Sequence, residues 1–176
     1  MRSKKTKAIS FAAILSALSV ALLYLGSVIE VLDLSTAAFA SFLVVFAVIE
    51  MGGAYPYLIW ACTSALSLLL LPNKFPALIY FIFAGIYPIL KAHFERLRPL
   101  FSWPLKISAF ALMMICAYLA ARFVFVIPEI SAAFDVIFVA LATLAFVLYD
   151  IAMSKIILLY LVKLRKRFGI NKIFKD

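Results

Sequence analysis

Four stretches of this chain, Ala8 to Ile29, Leu34 to Ile49, Ala54 to Leu71 and Pro76 to Leu90, carry no charged side chain. A helix rises 1.5 Å per residue, so about 20 apolar residues match the roughly 30 Å hydrocarbon core of a bilayer. With 68% hydrophobic and 14% charged residues in a chain of 176, there is too little polar surface to cover a soluble globule. The sequence therefore predicts an all-α integral membrane protein.

Loops and charges set the number of crossings. Glu30 and Asp33 make an acidic turn, Gly52 and Gly53 a tight reversal, and Pro72, Asn73 and Lys74 a polar hinge before Pro76 starts a new helix. That helix carries Gly85 and Pro88 as kink candidates and leaves through Lys91, His93, Glu95, Arg96 and Arg98. A single bundle of six transmembrane helices is expected, over residues 8–29, 34–51, 54–71, 76–93, 105–127 and 134–162, in one domain spanning 1–176. A cleavable signal peptide is the rival for the first run, since Ala38, Phe39 and Ala40 form an A-x-A pattern. The run is longer than a normal signal core, however, and Glu30 and Asp33 intervene.

The net charge of +9 is an orientation signal rather than a nucleic-acid footprint. Lysine and arginine concentrate in both tails and in the loop from Lys91 to Lys106, while the opposite loops hold Glu30, Asp33, Glu129 and Asp135. By the positive-inside rule both termini are cytoplasmic. Trp103 and Tyr160 fall where interfacial anchors are expected.

Catalytic chemistry finds no support. His93 is the only histidine and has no carboxylate pair at metal spacing, so no metal site is expected, and no cofactor motif appears. There is no Walker A loop, G-x-S-x-G elbow or H-E-x-x-H. The chain is read as no enzyme, and any active transport needs a partner to supply energy. Cys62 and Cys116 are expected as buried small hydrophobes.

The informative residues are the charges at membrane depth. Glu50, Lys91, Asp150 and Lys155 fall toward the cytoplasmic side and are expected to form structural ion pairs. Toward the outer side, Asn73 and Lys74 stand beside a helix start, with Arg122 at similar depth. Together with the aromatic wall of Tyr80 they form a candidate site for an anionic group. The alternative for Arg122 is an ion pair with Glu129 or Asp135. On the first helix Ala13, Ala17 and Ala21 recur every four residues and leave a smooth face for another helix.

Six crossings, both ends inside, the A-x-x-x-A face of Ala13 and Ala17 and the absence of an ATPase motif resemble the substrate-binding S component of energy-coupling factor (ECF) transporters. The stretch carrying Pro72, Asn73, Lys74, Tyr80, Gly85, Tyr87, Pro88, Lys91 and Glu95 is similar to small bacterial membrane proteins grouped with that family. The resemblance implies a plasma-membrane protein that binds a vitamin-like micronutrient in an outward pocket. The outer loops 30–35, 72–75 and 128–135 would frame that pocket. It further implies that the alanine face docks on a transmembrane coupling subunit and that two cytoplasmic ATPases drive release. A non-transporting membrane scaffold, similar to rod-shape morphogenesis proteins of this size, is the alternative.

Overall fold

The computed structural model describes residues 2–95, 99–124 and 132–164. These residues are helical apart from short turns, with no strand among them. The helices are α1 (Arg2–Val28), α2 (Asp33–Glu50), α3 (Tyr55–Leu70), α4 (Phe75–Ile79), α5 (Tyr87–Phe94), α6 (Pro99–Val124) and α7 (Ala132–Leu159). Four apolar helical stretches are long enough to cross a membrane: Lys5–Val28, Asp33–Glu50, Phe75–Phe94 and Val139–Lys163. Tyr55–Leu70 and Ser102–Ala117 are shorter apolar stretches. The 16 residues of α3 reach only about 24 Å.

The expected helix boundaries shift in two places. The fifth helix starts at Pro99 rather than Leu105, because a proline in the first turn gives up no hydrogen bond; Lys106 thereby moves from the expected first turn to a position deeper in the helix. The fourth expected helix is discontinuous. After α4 a wide π turn runs Tyr80–Ala84, in which the Gly85 N–H donates to the Tyr80 carbonyl at 2.8 Å, and α5 restarts with Pro88 in its first turn. Proline has no N–H for the preceding turn, so the ladder cannot run through it. The Trp60 indole donates to the Phe81 carbonyl at 3.0 Å, and its ring stacks on Phe81 at 5.5 Å. A Cβ on Gly85 would stand 2.6 Å from Trp60 and 2.8 Å from the Tyr80 ring, so glycine is what lets both rings close over the break.

Polarity is arranged inside out. Ser16, Ser19, Ser27, Thr36, Ser41, Thr63, Ser64 and Ser67 are buried, while Ile14, Leu25, Leu69, Leu112, Leu141 and Leu148 are exposed. Small hydroxyl residues let helix backbones approach closely, and their protons can be returned to the same helix's carbonyls. Ser19 donates to Leu15 O at 2.9 Å and Thr36 to Leu32 O at 3.0 Å. A Cβ on Gly26 would collide with the Thr36 hydroxyl, so α1 and α2 approach each other closely here. Cys62 and Cys116 are exposed, against the expectation of burial. Where the surroundings are apolar, a thiol on the outer face costs nothing, and the interior positions go to hydroxyls that pack closely.

Two cores result. One joins α1, α2, α3 and α4 through Leu15, Leu23, Val44, Ile59, Leu71 and Tyr80. The other joins α2, α5, α6 and α7 through Val45, Tyr87, Phe110, Met113, Phe146 and Met153. Its centre is aromatic: Phe110 stacks on Phe146 at 4.3 Å, and Phe83 stacks on Tyr87 at 5.4 Å. The α2–α3 reversal is made by Gly52 and Gly53, with φ of 60° and 56°, a left-handed pair that residues with a Cβ adopt only under strain.

Candidate functional site

At one end of the second core, α5, α6 and α7 meet at a buried polar node. Lys91 on α5 is 1% exposed and Asp150 on α7 is 3% exposed. The Lys91 ammonium donates to Asp150 Oδ1 and, at 2.7 Å, to Ser154 Oγ, and it lies 3.1 Å from both the Asp150 carbonyl and Glu95 Oε1. Lys106 on α6, also buried, reaches Asp150 Oδ2 at 3.1 Å and Glu95 Oε1 at 3.2 Å, and its ammonium lies 5.6 Å from the Trp103 ring centre. The Tyr87 hydroxyl donates to Asp150 Oδ1 at 2.6 Å. Two ammoniums thus face two carboxylates, and the second carboxylate, Glu95, is half-exposed.

This balance explains how charged groups persist here. A buried ion is costly unless it is both paired and hydrogen-bonded, and Asp150 has a donor on each oxygen. Ser154 returns its proton to the Asp150 carbonyl at 2.9 Å while accepting from Lys91. The node ties three helices together. No group of His, Cys, Asp and Glu gathered to hold a metal occurs among the described residues.

The four charges singled out from the sequence are not brought together. Lys91 and Asp150 pair. Glu50 is buried and accepts from the Tyr160 hydroxyl at 3.1 Å, while Lys155 is exposed and joins none of the ion pairs found among the described residues. Lys106, Glu95, Tyr87 and Ser154 were not anticipated. The four-residue spacing of Lys91 and Glu95 was a usable signal, whereas the pairing of Lys106 with Asp150 depends on how α6 packs against α7.

At the opposite end, Asn73 and Lys74 are engaged by the chain itself. The Asn73 N–H donates to Ser27 Oγ at 3.1 Å, its side-chain amide lies 3.4 Å from Asp33 Oδ2, and its Oδ1 accepts the Phe75 N–H at 3.0 Å. The hinge is therefore fastened to the end of α1 and the start of α2. The Lys74 ammonium donates to the Leu71 carbonyl at 2.6 Å and lies 3.4 Å from that of Leu69, where a cation complements a helix C-terminus. Tyr80 is fully buried and lies against Thr63 and Ser19. Arg122 belongs to α6, but its side chain, like that of Asp135 and the whole of Glu129, lies outside the described residues.

Ala13, Ala17 and Ala21 are exposed on α1. Ala17 and Ala21 line an open apolar groove with Val20, Tyr24, Leu25 and Leu70. The opposite face of α1, with Ala12, Leu15, Ser16, Ser19 and Leu23, is buried in the bundle.

Compared with protein-family models, with characterised proteins and with solved structures, the chain matches none.

Proposed function

We propose that the chain is a membrane subunit that works by docking a partner's transmembrane helix on α1, as the substrate-binding S component of an ECF importer does. The observation that carries this reading is the exposed face of Ala13, Ala17 and Ala21, continued as an apolar groove to Leu70, on a helix whose other face is already packed. In this reading α3 and α6 join the other four helical stretches to make six crossings of a bacterial plasma membrane, with the lysine-rich and arginine-rich tails on the cytoplasmic side. The partners are a transmembrane coupling subunit and two ATPases, and the cargo is a small micronutrient.

The internal engagement of Asn73 and Lys74 favours a second reading, the non-transporting scaffold. There the alanine face still receives a partner helix, and no ligand enters at the hinge. One experiment separates the two: affinity purification of the tagged chain in mild detergent, followed by mass spectrometry of proteins and small molecules. A coupling subunit, ATPases and a retained micronutrient support the importer. Cell-envelope synthesis proteins without a ligand support the scaffold. In either case Ala17→Trp is expected to abolish co-purification while leaving the melting temperature unchanged, and undiminished recovery of partners would remove α1 as the dock.

A further inference from the structure

Lys155, costly on the evidence of the sequence, stands on the outside of the bundle. It follows Asp150 by five residues on α7, about 140° around the helix. Asp150 is buried toward Lys91 and Lys106, whereas Lys155 is exposed and joins none of the ion pairs found among the described residues. Leu144, Leu148, Ile151, Lys155 and Leu158 follow one another at three or four residues and are all exposed, so they form one continuous stripe on the outer face of α7.

Lys163, also exposed, closes the apolar stretch Val139–Lys163, and Lys155 lies roughly 12 Å short of it along the axis. Eight residues of α-helix would set the two lysines about 80° apart around the axis. The π turn Tyr160–Leu164 winds less per residue, because its hydrogen bonds reach one residue further, and this brings Lys163 back toward the stripe. Where this stretch crosses a membrane, a lysine at the depth of Lys155 carries its ammonium along its four-carbon stem toward the surface, and so toward Lys163. The two charges converge at headgroup level, above leucine and isoleucine that run toward the middle of the bilayer.

We propose that Lys155 and Lys163 bind the headgroup of one anionic phospholipid, whose acyl chains lie along Ile151, Leu148 and Leu144. An ionised group at membrane depth persists when it is paired or snorkels, and a headgroup of net negative charge supplies the pairing at the end of that reach. A partner helix is the weaker occupant. Helices in a bilayer pack through small residues, which α1 offers at Ala13, Ala17 and Ala21 and this stripe does not. The site rests on Val139–Lys163 being a crossing and is independent of the docking face on α1.

Native mass spectrometry of the intact chain released from detergent, titrated with phosphatidylglycerol and separately with phosphatidylethanolamine, tests the proposal. The unaltered protein is expected to bind phosphatidylglycerol several-fold more tightly. A lysine near an anionic surface contributes a factor of about five. Lys155→Gln is therefore expected to weaken phosphatidylglycerol binding about fivefold, while Lys5→Gln, an equal loss of charge at an exposed position on α1, leaves it unchanged. Equal affinity of the unaltered protein for the two lipids would overturn the site, whatever the variants do. So would equal losses from Lys155→Gln and Lys5→Gln, which mark diffuse attraction. A protein that co-purifies with the unaltered chain and is lost on Lys155→Gln, with no preference between the lipids, would overturn it in favour of a partner's carboxylate.

Discussion

Asp150 faces both buried ammoniums and the Tyr87 hydroxyl. Removing its charge leaves Lys91 and Lys106 to share one half-exposed carboxylate. Breaking a buried pair by deleting one partner costs about 3–5 kcal/mol. Asp150→Asn is accordingly expected to lower the melting temperature in detergent strongly, and a shift no larger than that of a surface variant would show that the node is not structural. Glu95→Gln removes the half-exposed member, where solvent screens the loss, and is expected to cost about 1 kcal/mol or less. The ordering of these two variants is the sharper test. Sequence alone could mark Lys91 and Asp150 as costly residues, but partner choice depends on which helices face one another. That is why Lys155, equally suspicious on paper, is found outside the node.

At the scale of the element, the interrupted helix at 75–94 combines what was legible with what was not. Gly85 and Pro88 announce a kink through their backbone chemistry. Nothing local announces that Trp60, from a different helix, supplies a donor to the Phe81 carbonyl. Gly85→Ala is expected to push Trp60 and Tyr80 apart and to destabilise by about 1–3 kcal/mol; an unchanged unfolding midpoint would mean that the rings have room to give. At the reversal after α2 the space around both glycines is open, so only φ resists substitution. Gly53→Ala is expected to cost about 1–2 kcal/mol, while Gly53→Asn, which tolerates left-handed geometry, should cost less. The uncharged runs made the helices readable because hydrocarbon permits little else. Their ends were less so, as the shift of α6 from Leu105 to Pro99 illustrates.

For the whole molecule, the interior of small hydroxyls and the exterior of leucine and isoleucine agree with a helical membrane protein. The proposed six-crossing arrangement makes a topological prediction. After Cys62→Ala and Cys116→Ala, single cysteines at Ser3 and Asn171 should both react with an impermeant maleimide in inside-out vesicles and remain unreactive in right-side-out ones. Opposite reactivity of the two ends would demand an odd number of crossings. The candidate site was less legible than the fold: the proposed docking face is a local repeat on one helix, whereas the node draws on three elements, of which α7 is far from α5 and α6 in sequence.

The node also orders events in time. A ribosome delivers α5 and α6 before α7, so Lys91 and Lys106 enter the translocation machinery with only Glu95 as counter-charge. These lysines stand toward the ends of their helices, where the penalty is smaller than the about 2.5–3.5 kcal/mol that a lysine costs at the centre of a crossing. A chain stopped after Val124 lacks Asp150, the partner of Lys91 and Lys106, and is expected to be more readily cleaved by protease in mild detergent than the full chain; equal resistance would overturn this. The charge balance of α5 and α6 is complete once α7 has brought Asp150 into place.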